Sequence, residues 1–170
     1  SNQGQICLCG SRLFVQKEIY ADFKQALLDK VSQLTVGDPK KESSDLGAVV
    51  SKAHMNKILV QIQEGKKLGG KILTGGNRVI LEGNLKNGYY IEPTVIEGLP
   101  FNCSVNQEEI FGPVVSLIPF ESEEEVIQMA NSTKYGLSAS IFTENISKGH
   151  RVAANIDAGV VWINTWLLRD

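Results

Sequence analysis

The segment SNQGQICLCGSR at residues 1–12 surrounds a cysteine with neighbours suited to nucleophilic work. Gly4 permits unusual torsions and close approach of a substrate, and Asn2, Gln3 and Gln5 offer amide hydrogen bonds. A thiol attacks as its thiolate, and a backbone N–H beside Cys7 could hold an oxyanion formed on the attacked carbon. Two other readings stand beside this one. Cys7 and Cys9 could be small apolar fillers, because free cysteine is often buried. They could also bind metal, but C-x-C is not the C-x-x-C of zinc sites, and the two histidines, His54 and His150, fall on predicted helices far along the chain. No metal site is expected. A cysteine hydrolase would need one of those histidines folded onto Cys7.

Two further clusters carry usable side chains. In NQEEIFGPVV (106–115), paired carboxylates precede an Ile-Phe pair and a Gly-Pro turn. An acid there could bind ribose hydroxyls and the ring could lie against a flat cofactor, although a solvated acidic turn over a core phenylalanine has the same composition. In GVVWINTWLLRD (159–170), an apolar strand delivers Asn164, Trp166 and Arg169 into a loop at its carboxyl end, where open parallel sheets place their ligands. Arg169 could grip a carboxylate in a bidentate pair, or be a surface arginine.

Periodicity supplies the elements that must position these groups. RLFVQ (12–16) reads as a strand. Ile19, Phe23, Ala26, Leu27, Val31 and Leu34 mark one face of a helix that VGDP at 36–39 should end. A second helix is predicted from about Ser51 to Lys67, with Met55, Ile58, Leu59 and Ile62 on one face and Gly69-Gly70 closing it. KILTGG follows as a strand, and residues 77–88 read as a surface excursion. YYIEPTVI and VVSLIPF are strand candidates, and Ser122 with Glu125 makes a capping box for a helix to about Asn131. SASIF is the next strand, followed by a helix carrying Val152 and Ile156 that Gly159 should stop. The apolar run of GVVWIN suggests a last strand buried on both faces. Strands separated by such helices imply an α/β fold, an open and largely parallel twisted sheet with helices on both faces. No repeat or linker divides residues 1–170, so a single domain is expected.

Composition limits the partners. A net charge of −2 spread along the 170 residues leaves no basic stripe for nucleic acid and no polybasic membrane patch. No apolar run approaches the roughly 18–20 residues of a membrane span, and the start is not a signal peptide. Three cysteines, two of them close together, do not form a disulfide framework, so a reducing, cytoplasmic setting is expected. A start without Met inside a Gly and amide segment reads as a cut, and a fragment is expected.

Taken in order, NQGQICLCGSR, VGDP, LGAVVSKAH, EPTV, EEIFGPV, NSTKYGLSASIF and GVVWIN resemble the aldehyde dehydrogenase superfamily from end to end. The resemblance implies the cysteine-bearing catalytic domain of an enzyme that oxidises an aldehyde to a carboxylic acid. Its cofactor would be NAD, with NADP left open, its partner a small-molecule aldehyde, and its parent a homo-oligomer. In the family motif N-x-G-Q-x-C-x-x-x-x-R the nucleophile matches Cys7, with Asn2, Gly4, Gln5 and Arg12 also in place, and Cys9 at a non-catalytic position. Glu109 matches the acid that binds the nicotinamide ribose, and Phe111 the ring near the nicotinamide. The dinucleotide-binding domain and the Glu-Leu-Gly-Gly segment with the general base have no counterpart in these residues, so this chain alone is not expected to reduce NAD. The ending N-x-W-L-x-R-[DE] resembles 2-aminomuconic and 2-hydroxymuconic semialdehyde dehydrogenases, which implies that Arg169, with Trp166 and Asn164, receives a carboxylate-bearing semialdehyde. A neutral or betaine aldehyde and a non-enzymatic assembly module are the alternatives.

Overall fold

The short apolar, β-forming run RLFVQ yields strand β1 (Arg12–Gln16), and a 3-10 turn leads from it into helix α1 (Tyr20–Ser32). The computed structural model describes residues 2–168. Helix α1 lies on the sheet through Tyr20, Leu27, Leu28 and Val31, which pack on Val15, Val95 and Leu117. That face is rotated from the expected one: Ile19, Phe23 and Leu34 are exposed. The helix also stops at Ser32, before VGDP, with the Ser32 hydroxyl donating to the Asp29 carbonyl (2.8 Å).

Helix α2 (Lys52–Lys67) follows its sequence signals closely. Ser51 is the N-cap, its hydroxyl accepting from the His54 N–H at 3.1 Å. Met55, Ile58 and Ile62 are buried in a core with Ile91, Ile96, Leu99, Val105, Ile110 and Val114. Gly69, at φ 91°, turns the chain out of the helix, and the Gly70 N–H returns to the Gly65 carbonyl (2.9 Å).

Strand β2 (Lys71–Thr74) is followed by the surface excursion, which contains a short strand β3 (Arg78–Val79) the sequence pattern does not show. It pairs antiparallel with β4 (Tyr90–Ile91). The run YYIEPTVI is split into β4 and β5 (Thr94–Glu97), with Pro93, which has no N–H to offer a ladder, lying between them. A single turn of helix, α3 (Ser104–Gln107), precedes β6 (Val114–Phe120). Strand β6 runs parallel to both β1 and β5, and β2 closes the sheet antiparallel, giving the order β1-β6-β5-β2.

Helix α4 (Glu123–Ala130) begins at Ser122, whose hydroxyl accepts from the Glu125 N–H (3.1 Å). The Glu125 carboxylate reaches one residue further back than in a capping box, to the Glu121 N–H (2.6 Å). At the other end, the half-buried Arg12 guanidinium donates to the Met129 and Ala130 carbonyls (2.9 and 3.0 Å). A cation there satisfies orphan carbonyls and opposes the helix dipole, while burial lowers the Arg12 pKa.

Strands β7 (Ser138–Ile141) and β8 (Val160–Ile163) form a separate parallel pair, with α5 (Ile146–Ala153) between them in sequence. Helix α5 ends at Ala153, so Ile156 lies outside it and Gly159 does not terminate it. Among the described residues β8 pairs with β7 alone, and Val160 is 45% exposed, so the strand is not buried on both faces. This unit is tied to α4 by Arg151, which donates to both Glu123 carboxylate oxygens (2.8 and 3.3 Å), and by Asn131, which bridges Asn155 and Asp157 (2.8 and 2.9 Å). The whole is a mixed, mostly parallel α/β fold.

Candidate active site

The segment before β1 turns sharply. The Cys9 N–H donates to the Ile6 carbonyl (3.0 Å), which places Cys7 and Leu8 at the corner of a turn with Cys7 exposed. Upstream, the Asn2 amide donates to the Gln5 carbonyl (3.0 Å), and the Gln5 side chain accepts from the Val50 N–H (3.0 Å) just before α2. In the orientation that satisfies both its ends, the Gln3 amide accepts from the Gly47 N–H (2.6 Å) and donates to the Asn2 carbonyl (2.9 Å). The amides beside Cys7 therefore anchor its loop to the 47–50 segment.

Gly4 brings this loop against the second cluster. At φ 72°, its missing Cβ would fall inside the contact distance of the Gly112 carbonyl. Gly112 in turn lies on α2, where an added Cβ would meet Ile58 Cδ1 at 2.6 Å. Of the two acids before it, Glu108 is committed. Its carboxylate accepts from Lys134 Nζ (3.0 and 3.1 Å) and from Tyr135 Oη (3.3 Å), and the Lys134 contact holds the Glu108 carboxyl below its ordinary range. Glu109 is exposed, with its backbone N–H donating to Tyr135 Oη (3.4 Å). Phe111 is half-buried beside it.

The third cluster leans on the first. Trp166 Nε1 donates to the Leu8 carbonyl (3.0 Å), one residue from Cys7, and Trp162 Nε1 closes its own loop on the Leu168 carbonyl (3.0 Å). Asn164 spends both ends of its amide on Thr143, accepting from its N–H (2.8 Å) and donating to its carbonyl (2.9 Å), which joins the ends of β7 and β8. Arg169 lies outside the described residues.

Among the described residues, the non-glycine residues with left-handed torsions are Asn2, Gln3, Phe111, Asn164 and Leu167. All of them fall in these three segments. Such torsions persist where the surroundings over-determine them, and they cluster at ligand clamps and active sites. The structure thus joins Cys7 to the Glu109–Phe111 loop through Gly4 and to the Trp166 loop through Leu8. His54 is not placed on Cys7: its Nε2 lies 2.7 Å from the Phe111 carbonyl. Sequence reading places His54 on a predicted helix, and no local pattern signals a contact across 57 positions. No group of three or more metal-ligating side chains occurs among the described residues, and no helix there is long and apolar enough to cross a membrane.

Residues 1–170 match the profile of the aldehyde dehydrogenase family. The chain is 44% identical to 4-trimethylaminobutyraldehyde dehydrogenase A of Danio rerio over 165 residues, 96% of this chain and 32% of that protein. It is 43% identical to 2-aminomuconic semialdehyde dehydrogenase of Bos taurus over 172 aligned positions, 100% of this chain and 35% of that protein. The crystal structure of betaine aldehyde dehydrogenase from Staphylococcus aureus in complex with NAD+ superposes with a TM-score of 0.94 at 40% identity, covering 99% of this chain and 33% of that one. The chain thus spans about a third of the length of these relatives.

Proposed function

Because this chain belongs to the aldehyde dehydrogenase family, we propose that it supplies the thiol-bearing part of the active site of an NAD-dependent enzyme that oxidises a semialdehyde to a carboxylic acid. The observation that carries this reading is the meeting of three segments at Cys7, through Gly4 against Gly112 and Trp166 on Leu8.

The Cys7 thiolate attacks the aldehyde carbon, forming a C–S bond while the carbonyl electrons move to oxygen. The Cys7 N–H donates to that oxyanion. An exposed Glu109 carboxylate beside the half-buried Phe111 ring fits the ribose and nicotinamide end of the cofactor, offering an acceptor for hydroxyls and a flat apolar face. When bound there, NAD supplies the acceptor for the hydride that the carbon loses. Cys7 then carries the acyl group as a thioester until water releases the acid and restores the thiol. Trp166 walls the aldehyde side, and Asn164 shapes it through the Thr143 corner that it fixes.

For the substrate, the N-x-W-L-x-R-D ending and the 43% identity to a 2-aminomuconic semialdehyde dehydrogenase support a carboxylate-bearing semialdehyde gripped by Arg169. The 44% identity to a 4-trimethylaminobutyraldehyde dehydrogenase favours a second reading, a quaternary ammonium aldehyde, which a guanidinium would repel. Kinetics of the full-length parent on a muconic semialdehyde, a trimethylammonium aldehyde and a neutral aldehyde separate the two. A charge-assisted pair predicts about 1.5–3 kcal/mol of preference for the anion, roughly 10- to 150-fold in kcat/KM, and Arg169→Ala should erase it. Equal or better turnover of the cationic aldehyde would favour the second reading.

A further inference from the structure

We propose that His54 is a positioning residue, holding Phe111 in its left-handed conformation through the Phe111 carbonyl and so setting the ring that faces the cofactor. The inference rests on the reading that Phe111 lies against the nicotinamide.

Phe111 has φ 55°, a torsion that side chains other than glycine rarely adopt. Its carbonyl lies 2.7 Å from His54 Nε2. A carbonyl oxygen only accepts, so Nε2 carries the hydrogen and the tautomer of His54 is fixed by this bond. The imidazole also meets the phenyl ring edge-on, with centroids 6.4 Å apart and planes at 64°. His54 is itself held, because its N–H donates to the Ser51 cap (3.1 Å) and the next residue, Met55, is buried.

The same helix walls the following peptide. An added Cβ on Gly112 would meet Ile58 Cδ1 at 2.6 Å, so residues 111 and 112 are held against α2 by a donor at His54 and an apolar surface one turn later. Gly4 approaches the Gly112 carbonyl. The Phe111 carbonyl is the hydrogen-bonding part of this contact, and His54 supplies its donor.

The test uses the full-length parent with His54→Ala, His54→Gln and Phe111→Ala. Calorimetric NAD+ affinity, kcat and KM for NAD+, the alkylation rate of Cys7 without NAD+, and amide exchange of residues 108–113 without NAD+ are measured. His54→Ala should weaken NAD+ binding roughly five- to tenfold, the loss of one half-buried hydrogen bond and its pre-organisation. KM should rise more than kcat falls, exchange of 108–113 should quicken, and Cys7 alkylation should not change. His54→Gln keeps an N–H donor and should recover most of the affinity. NAD+ affinity unchanged in His54→Ala, Gln no better than Ala, or Cys7 reactivity falling in step would each overturn the proposal. Phe111→Ala separates the two claims. Unchanged NAD+ binding in that variant overturns the reading of Phe111 together with the inference, whereas weakened binding there with unaltered His54→Ala overturns the inference alone.

Discussion

Gly4 shows at the residue scale how a backbone contact can serve chemistry. Its left-handed torsion and its approach to the Gly112 carbonyl leave no room for a side chain, so Gly4→Ala should cost about 2–3 kcal/mol and separate the Cys7 turn from the Phe111 loop. Chemical denaturation of the variant measures the first effect, and slowed labelling of Cys7 by a substrate-like aldehyde analogue measures the second. The residues worth considering were legible in the sequence, because Gly4, Cys7, Glu109, Phe111 and Trp166 sit in short segments with recognisable chemistry. Their mutual contacts were not. Trp166 meets Leu8 across 158 positions and His54 meets Phe111 across 57, and neither periodicity nor local spacing encodes a contact made by tertiary folding. Asn164 illustrates the same limit, since its amide is occupied by Thr143.

At the scale of elements, Arg12 belongs to the cysteine motif by sequence, yet in the fold it closes the carboxyl end of α4. Arg12→Ala should therefore destabilise the protein by about 2–3 kcal/mol, from two charge-assisted bonds to helix carbonyls, with the loss visible in a denaturant midpoint. Ser51→Ala removes the α2 cap and should cost about 1 kcal/mol. The elements with strong local signals were legible: β1, α2 and β6 match the sequence pattern. Elements whose packing partners decide the outcome were not. The apolar positions of α1 allowed two overlapping faces, and the sheet chose the one through Tyr20 and Leu28. GVVWIN reads as a doubly covered strand by composition, but burial depends on neighbours that a strand's own sequence does not contain.

Over the whole molecule, the α/β class followed from the alternation of strands and helices, whereas the order β1-β6-β5-β2 rests on long-range pairing that no local pattern specifies. One ion cluster that joins α1 to β5 gives the stability a readable pH dependence. Glu97 accepts from Lys24 Nζ (3.0 Å) and Tyr20 Oη (3.1 Å). Burial opposes the Glu97 charge, but these bonds outweigh it and hold its pKa below the ordinary 4.5, while burial and the bond to Glu97 push Tyr20 from 10.0 up to about 12. A lowered carboxyl stabilises the fold above 4.5, and that contribution fades as pH falls through the folded value. A raised phenol stabilises the fold below 10.0, with loss as pH rises from there through about 12. Melting curves of Glu97→Gln and Tyr20→Phe should flatten the acid and alkaline limbs respectively. The central claim concerns Cys7, and rapid-quench mass spectrometry of the full-length parent mixed with aldehyde and NAD+ tests it most directly. The account predicts an acyl adduct on Cys7, with Cys9 in the same peptide unmodified and no adduct in Cys7→Ser; an acyl group on Cys9, or turnover that persists in Cys7→Ser, would contradict it.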